Sequence, residues 1–179
     1  MPLPREFYLQ DPFVAARELV GAYLCRQMPD GSFIRARICE LELYLENDRA
    51  CHAFGGRCTP RNDAMFMAGG HAYVYLCYGL HNMLNIVLGP AGTPAAVLIR
   101  ALEYDDCNGP GKLCKALNIT RADNKLDLTR GEKIWIDARD TLPKIKTGPR
   151  IGVDYAGADA GLPYRFLIAD SPYISKPIK

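Results

Sequence analysis

The sequence predicts an α+β fold, a mixed α/β arrangement in which a few helices flank a largely antiparallel sheet. Runs of strand character outnumber runs of helical character, and they follow one another directly instead of alternating with helices. Glycine and proline turns separate these runs at short intervals. The 179 residues are 49% hydrophobic and 23% charged, which is the composition of an ordinary globular domain. We therefore expect residues 1–179 to form a single domain.

Two segments have helical character. Asp11 is suited to cap a helix that begins at Pro12, and the apolar residues that follow recur at helical spacing. This pattern predicts a helix over roughly residues 12–25. A shorter helix is predicted for residues 112–117, after a glycine- and proline-rich turn.

The strand-type segments begin with a long run, Phe33–Leu45, that is rich in isoleucine and leucine and contains no glycine or proline. Residues 79–82 separate two further runs and predict a β-hairpin between them. The segment 47–70 contains paired glycines and predicts a long loop, an element that commonly carries function in a compact domain. The remaining predicted strands cover residues 72–78, 83–88, 95–102, 132–137, 150–155 and 164–169.

The sequence lacks the signatures of several common sites. The seven cysteines include no Cys-x-x-Cys pair and the three histidines show no metal-ligand spacing, so we expect no metal. No phosphate-binding loop, dinucleotide fingerprint or serine-hydrolase elbow occurs, and we expect no cofactor. The apolar runs are far shorter than the ~20 residues that cross a bilayer, and the first residues form no signal-peptide pattern. We expect no membrane partner and a cytoplasmic location.

The net charge of +2 neither favours nor excludes a nucleic-acid partner. Basic residues concentrate in the last third of the chain, where a single acid accompanies four of them in one stretch. This stretch forms either a small phosphate-facing patch or an ordinary solvated loop, and both interpretations stay open. The residues concerned are Arg139, Asp140, Lys144, Lys146 and Arg150.

One strand carries two closely spaced carboxylates. Alternation along Phe33–Leu45 places Glu40, Glu42 and Tyr44 on one face, with the two carboxylates ~6–7 Å apart. The simpler interpretation is a half-exposed strand with its acids in water. The alternative is a general base held on a rigid strand beside an aromatic ring, which suits the attack of water on a glycosidic bond.

Tyrosines concentrate on the predicted hairpin. Tyr73 and Tyr75 share one face by alternation, and Tyr78 lies near the tip with the opposite parity. Tyrosines in strands are commonly core residues or cross-strand partners. Aromatic residues on a hairpin can instead stack on bases or wedge between them in nucleic acid.

Eight short motifs follow one another between Glu40 and Val153, within a similarity that extends from Phe13 to Ser175. They are Glu40-Leu41-Glu42-Leu43-Tyr44, His52, Thr59-Pro60-Arg61-Asn62 with Met65-Phe66-Met67, Tyr73-Val74-Tyr75 with Tyr78-Gly79, Asn85-Ile86, Leu98-Ile99-Arg100-Ala101-Leu102-Glu103, Gly109-Pro110-Gly111-Lys112-Leu113 and Arg150-Ile151-Gly152-Val153. In order and spacing this set resembles the alkyladenine (3-methyladenine) DNA glycosylase family. The number of ordered motifs makes the resemblance specific.

The resemblance implies a single domain with a curved antiparallel sheet, flanking helices and a protruding hairpin that inserts into DNA. It implies a monofunctional DNA repair enzyme that hydrolyses the N-glycosidic bond of alkylated or deaminated purines and leaves an abasic site. Expected substrates are of the 3-methyladenine, hypoxanthine and ethenoadenine type, flipped out of duplex DNA. The expected enzyme is a monomer that uses no metal or cofactor, and in a bacterial cell it would lie at the nucleoid.

The resemblance also implies the roles of five residues at the reacting base. Glu42 would deprotonate the attacking water, and Arg100 would hold both that water and the Glu42 carboxylate. Tyr44, His52 and Tyr75 would line the pocket and stack on the flipped base, with a preference for electron-poor alkylated purines.

Five further residues are implied to limit the substrate or to contact the DNA. Asn85 matches the residue that obstructs the 2-amino group of guanine, and Tyr78 matches the side chain that fills the gap left in the duplex. Lys112 and Arg150 fall in motifs that lie near the DNA in the family. Arg61 is a further candidate DNA contact, and a structural salt bridge explains it equally well.

Two other functions stay open on the sequence. A non-catalytic nucleic-acid-binding module would keep the same fold, although the presence of Glu42 and Arg100 beside the aromatic set argues against it. A carbohydrate glycoside hydrolase would use Glu40 and Glu42 as its two carboxylates and would act on sugars.

Overall fold

A computed structural model describes residues 1–178, whose strands form one eight-stranded sheet. The strands are β1 (Tyr23–Gln27), β2 (Phe33–Leu45), β3 (Ala72–Cys77), β4 (His81–Leu88), β5 (Ala95–Glu103), β6 (Ile134–Asp137), β7 (Ile145–Gly148) and β8 (Arg165–Ile168). The helices are α1 (Arg5–Leu9), α2 (Pro12–Leu19) and α3 (Pro110–Ala116), and short 3-10 segments cover Phe54–Gly56, Asp63–Phe66, Arg121–Asp123 and Asp154–Gly161.

Strand β2 is the centre of the sheet because it has neighbours along both edges. It pairs with β5 along one edge, and with β1 and then β8 along successive parts of the other edge. The main path of the sheet is β3-β4-β5-β2-β1-β6, and β7 extends it beside β8. Register shifts on either side of Glu40 mark a bulge, a feature that bends a strand. The antiparallel sheet is curled into a half-barrel, which confirms the predicted fold class.

The sheet buries side chains on both faces. One face, which includes Leu41, Leu43 and Val74, belongs to the main core, and α2 packs against β2 on this side. The other face packs against the long loop in a smaller core made of Cys51, Ala53, Ala64, Met65, Tyr73, Val87 and Ala96. The predicted loop at residues 47–70 is thereby fixed against the sheet, next to the carboxylates of β2.

The helix predicted over residues 12–25 begins where expected, because the side chain of Asp11 accepts hydrogen bonds from two backbone N–H groups of its first turn. It ends earlier than predicted. Leu19 is its last residue, Val20 is extended, and Gly21 has a left-handed φ of 89°. Glycine commonly ends a helix in this conformation, and the chain continues directly into β1. Helix α1 has no counterpart in the prediction, and no helix among residues 1–178 is long and apolar enough to span a membrane.

The strand predicted at residues 150–155 is wrong. Gly152 has a left-handed φ of 73°, and a 3-10 segment begins at Asp154. The backbone N–H of Ile151 donates to the Glu42 carboxylate, not to a neighbouring strand. The strand of this region is β7, which lies earlier in the chain. The other predicted strands, and the helix predicted at residues 112–117, are confirmed with ends that differ by a few residues.

The predicted hairpin is formed by β3 and β4. Tyr78 and Gly79 have positive φ values of 48° and 69°, and the backbone N–H of Leu80 donates to the carbonyl oxygen of Cys77 at 3.0 Å. Two central residues with positive φ are what a type I′ turn requires, and this turn matches the twist of a hairpin. The turn projects into solvent, since Tyr78 is 92% exposed and Leu80 is 77% exposed.

Candidate active site

A cavity of about 580 Å³ opens beside the smaller core. Its walls come from strands β2 to β5, from the long loop and from the segment 151–155. Seven of the sequence-predicted site residues meet there: Tyr44, His52, Arg61, Tyr75, Tyr78, Asn85 and Arg100. Tyr73 and Tyr155 add two further aromatic rings to the walls. The cavity therefore combines several aromatic rings with apolar side chains and a few polar groups.

Glu42 lies just behind the wall of the cavity and has no exposed surface. Its Oε2 accepts hydrogen bonds from Tyr44 Oη at 2.8 Å and from Arg100 Nη1 at 3.3 Å. Its Oε1 accepts a hydrogen bond from the backbone N–H of Ile151 at 2.7 Å. All three donor residues line the cavity. Because a carboxylate has about four acceptor positions, Oε1 keeps one that a water molecule can use.

The interpretation of β2 as a half-exposed strand with its acids in water is wrong. Glu40 and Glu42 share a face as predicted, but neither has any exposed surface. The guanidinium of Arg100 lies between them, with Nε 3.2 Å from Glu40 Oε1 and Nη1 3.3 Å from Glu42 Oε2. Such partners are required, because an unpaired buried charge is strongly unfavourable.

His52 comes from the long loop and stands among tyrosines. Its ring centroid is 4.6 Å from that of Tyr75, with the two planes inclined at 74°, and its Nδ1 is 2.9 Å from Tyr73 Oη. Burial lowers the pKa of His52, and the positive charge of Arg61 lowers it further. The imidazole is therefore neutral at pH 7, and the cavity presents no histidine charge to a ligand.

The tyrosines of the cavity keep their protons. Burial raises the pKa of Tyr44 well above its ordinary value, and the negative charge of Glu42 raises it further. Burial likewise raises the pKa of Tyr75 and of Tyr73. Tyr44 therefore remains a hydrogen-bond donor to the buried carboxylate, and the aromatic walls carry no phenolate charge.

Arg150 supports the ring of Tyr44 and is buried. Its guanidinium carbon is 4.7 Å from the Tyr44 ring centroid, and both terminal nitrogens donate to the carboxylate of Asp48. Nη1 also donates to the carbonyl oxygen of Leu43 at 3.0 Å. Burial alone would lower the pKa of Arg150, but the hydrogen bond and charge of Asp48 raise it overall. A phosphate contact would require this pair to open, and the DNA contact that the resemblance implies for Arg150 stays a prediction.

The hairpin carries one buried polar residue and one free aromatic ring. Asn85, on β4, is 4% exposed, and its Nδ2 donates to the carbonyl oxygen of Tyr73 at 3.1 Å while the side chain lines the cavity. Tyr78, at the tip, reaches the rim of the same cavity. The two residues that the resemblance connects with base selection and DNA insertion are thus at opposite ends of one element.

Arg61 and Lys112 are the exposed basic residues of the predicted set. Arg61 Nη2 donates to the carbonyl oxygen of Leu76 at 3.2 Å, and the guanidinium carbon is 5.5 Å from the Tyr75 ring centroid. In the described part of the chain its partner is thus a backbone carbonyl and not the carboxylate of a salt bridge. Lys112 Nζ donates to Asn108 Oδ1 at 3.0 Å and lies outside the cavity.

The cysteines are free thiols, most of them buried. Burial raises the pKa of Cys51 to about 11, so this thiol beside the cavity stays protonated. Across residues 1–178, no group of three or more His, Cys, Asp or Glu side chains is placed to hold a metal ion. The polar groups at the cavity are the Glu42 carboxylate behind its wall, two guanidiniums, an imidazole, an amide and hydroxyl groups.

Sequence reasoning missed three parts of the site. The backbone N–H of Ile151 leaves no trace in the sequence, since any residue but proline carries one. Ser175 contacts Glu40 across a separation of 135 residues, and Arg165 joins them from β8. The position of Tyr73 in the cavity wall could have been predicted, because alternation already placed it on the same face as Tyr75.

Comparison with known proteins gives consistent similarities over nearly the whole chain. A sequence model described as methylpurine-DNA glycosylase (MPG) matches residues 6–172. A protein of Methanocella arvoryzae is 46% identical over 97% of this chain and 96% of its own length. Proteins of Myxococcus xanthus and Bacillus cytotoxicus are 44% and 38% identical over 97% and 98% of this chain, and over 93% and 100% of their own lengths. Each of the three is named "Putative 3-methyladenine DNA glycosylase".

Proposed function

Since this chain belongs to the methylpurine-DNA glycosylase family and is a DNA repair N-glycosylase, we propose that Glu42 activates the hydrolytic water. The observation that carries the proposal is the set of three donors, from Tyr44, Arg100 and Ile151, that fix the Glu42 carboxylate at the cavity wall. They leave one acceptor position on Oε1 for water. A base held on a rigid strand takes the proton of that water as the N-glycosidic bond breaks.

Arg100 completes the reacting group. It contacts the Glu42 carboxylate and lines the cavity, so a water molecule bound to Glu42 also lies within reach of its guanidinium. Cleavage of a glycosidic bond builds positive charge on the sugar, which a nearby carboxylate stabilises. Glu42 therefore deprotonates the water and stabilises the positive charge that develops on the sugar, and Arg100 holds its carboxylate in position.

The aromatic cavity receives the damaged purine after it is flipped out of the duplex. Tyr44, His52 and Tyr75 stack on it, and their uncharged state suits electron-poor alkylated purines, including cationic ones. Asn85 obstructs the 2-amino group of guanine. The expected substrates are alkylated and deaminated purines of the 3-methyladenine, hypoxanthine and ethenoadenine type.

The hairpin provides the contact that keeps the base flipped. Tyr78 enters the duplex and occupies the space that the base has left, while Arg61 and Lys112 contact phosphates beside it. Flipping costs a few kcal/mol, least at weakly paired lesions, which adds selectivity before the chemical step. The enzyme acts as a single-domain monomer in the cytoplasm or at the nucleoid, uses no cofactor and leaves an abasic site.

The two alternative functions are not favoured. A glycoside hydrolase would need a second carboxylate that can protonate the leaving group, but both oxygens of Glu40 already accept hydrogen bonds, from three other side chains and from the backbone N–H of Ser175. A non-catalytic binding module would have no need of a fully buried carboxylate behind an aromatic cavity.

Single-turnover excision from duplexes that contain hypoxanthine or ethenoadenine tests the proposal, with a chelator present and strand cleavage measured before and after alkali. We expect cleavage only after alkali, and a loss of about 1000-fold in the rate constant for Glu42→Gln. Glu46→Gln, which changes the half-buried carboxylate that follows β2, is the matched control and should be unaffected. A wild-type rate constant in Glu42→Gln would remove Glu42 from the role of base.

A further inference from the structure

Glu40 is a buried carboxylate that the proposed reaction does not use. Its Oε1 accepts hydrogen bonds from Arg100 Nε at 3.2 Å, Arg165 Nη1 at 3.0 Å and Ser175 Oγ at 2.9 Å. Its Oε2 accepts one from the backbone N–H of Ser175 at 2.5 Å. Four donors on a fully buried carboxylate are the arrangement of an ionised acceptor, since a protonated carboxyl would have to donate.

Hydrogen bonds connect Glu40 to the Glu42 carboxylate through Arg100. Arg100 donates Nε to Glu40 and Nη1 to Glu42, so the orientation of one guanidinium depends on both acids. Together with Arg165, these groups comprise two carboxylates and two guanidiniums, and their charges cancel in the buried site. Removal of Glu40 would leave Arg100 with Glu42 as its one remaining carboxylate.

The C-terminal segment anchors this group through residues that do not line the cavity. Ser175 supplies two of the four donors to Glu40, and Arg165 Nη1 also donates to the carbonyl oxygen of Lys176 at 2.8 Å. Arg165 Nε donates to the carbonyl oxygen of Pro149 at 3.0 Å, two residues before the N–H that holds Glu42. Glu40 and Arg165 thus hold both Arg100 and the segment that contains Ile151.

We propose that Glu40 is a positioning residue for the glycosylase reaction, with Ser175 as its anchor. Glu40 holds Arg100 Nε so that Nη1 faces the Glu42 carboxylate, and the C-terminal segment holds Glu40. This inference rests on the proposed roles of Glu42 and Arg100. Glu40 makes no contact with the substrate in this arrangement and acts only through Arg100.

Single-turnover excision at saturating enzyme tests the role of Glu40. We expect Glu40→Gln to lower the rate constant by about 100-fold, the effect of a misplaced catalytic group. Affinity for a duplex that contains a tetrahydrofuran abasic analogue should stay within about twofold of wild type, since Glu40 lies outside the cavity. At saturating enzyme the rate constant reports on the folded protein, because an unfolded fraction raises the total enzyme concentration needed for saturation and leaves the saturated rate constant unchanged. Glu103→Gln, which changes a half-buried acid on β5, is the matched control.

Substitutions of Ser175 keep the inference testable even where Glu40→Gln does not fold. Ser175→Ala removes one donor to Glu40, together with the oxygen that Arg100 Nε and Nη2 reach at 3.4 Å, and should lower the rate constant by about fivefold. Ser175→Thr keeps the hydroxyl and should restore it. Ser171→Ala, in the same segment but without a contact to Glu40, should match wild type.

The outcomes distinguish the role of Glu42 from the role of Glu40. If Glu42→Gln excises at the wild-type rate, the proposed role of Glu42 as the general base is refuted. If Glu42→Gln is inactive while Glu40→Gln and Ser175→Ala keep the wild-type rate constant, the positioning role alone is overturned. Equal losses of rate constant and analogue affinity in Ser175→Ala would also overturn it, because they indicate a general disturbance of the cavity.

Discussion

The two ends of the cavity are built in opposite ways. At the sheet end, Glu40 and Glu42 are fully buried, and each of their four carboxylate oxygens accepts at least one hydrogen bond. At the hairpin end, Tyr78 is 92% exposed and the tip has few contacts beyond its own turn. The sheet end fixes its groups tightly, and the hairpin end leaves its aromatic ring free.

This difference follows from what each end has to do. A base must stand within a narrow range of distances from its water, and only a packed, fully hydrogen-bonded surrounding provides that. A side chain that enters a duplex must keep its apolar surface uncovered until DNA arrives, and an exposed ring at a projecting turn meets that need. Substitutions at the sheet end should therefore change stability and rate constants, and removal of the exposed side chain at the tip should change DNA engagement with little effect on stability.

The largest effect is expected from the buried pair behind Tyr44. Asp48→Ala leaves the charge of Arg150 buried without its carboxylate, which should lower the free energy of unfolding by about 3–5 kcal/mol. Urea unfolding measures this loss. Asp140→Ala is the control, because Asp140 is an exposed acid that accepts a hydrogen bond from Tyr23 Oη, and its removal should change stability little. Equal losses of stability in the two variants would contradict the interpretation that the sheet end of the cavity depends on its buried, paired charges.

The hairpin tip should give a different phenotype. We expect Tyr78→Ala to keep wild-type stability within about 0.5 kcal/mol, because an exposed ring has little to lose. Excision of hypoxanthine from a paired duplex should fall by about tenfold, since the stack that replaces the flipped base is lost. Excision from single-stranded DNA should be unchanged. Leu142→Ala, at another exposed apolar residue, is the matched control, and a Tyr78→Ala defect on both substrates would refute the insertion role.

The sequence predicted those parts of the site that depend on local periodicity. Alternation in β2 correctly placed Glu40, Glu42 and Tyr44 on one face, and the turn between β3 and β4 correctly located the exposed tip. Such patterns depend on residues close together in the chain. The largely antiparallel character of the sheet and six of its eight strands were accessible for the same reason, whereas β1 and β7 were not predicted.

The features that the sequence could not show depend on contacts between distant residues. Arg150 looked like one of several surface basic residues, and only the fold shows that Asp48, 102 residues away, buries its charge. The segment around Ile151 looked like a strand because its apolar residues alternate, but its N–H is needed by Glu42. The early end of α2 has a different cause, because Gly21 is a residue type that commonly ends a helix and was visible in the sequence.

His52 should give the glycosylase a pH dependence that differs between substrates. Burial and Arg61 lower the pKa of His52, so it gains a proton only below its ordinary value of about 6.5. A protonated imidazole beside Tyr73 and Tyr75 repels a cationic base but not a neutral one. The ratio of 3-methyladenine to hypoxanthine excision should therefore fall as the pH falls below about 6.5.

His52→Gln provides the control for this titration and should make the ratio independent of pH. A wild-type ratio that does not change with pH would exclude His52 as the titrating group. The same depressed pKa has a consequence for folding, since the unfolded chain binds the proton more readily than the folded protein does. Below about pH 6.5 the contribution of His52 to stability should fall as the pH falls.

The smallest effect is expected from the backbone of the tip itself. Gly79 has a φ of 69°, and a Cβ there would meet no atom within 4 Å, so Gly79→Ala introduces backbone strain without a clash. That strain costs about 1 kcal/mol, measurable as a lower free energy of unfolding. Gly161→Ala also meets open space but has no left-handed φ, and should be neutral. Because the tip is not coupled to Glu42 or Arg100, Gly79→Ala should excise a lesion from single-stranded DNA at the wild-type rate. A slower rate there would mean that the two ends of the cavity are mechanically connected.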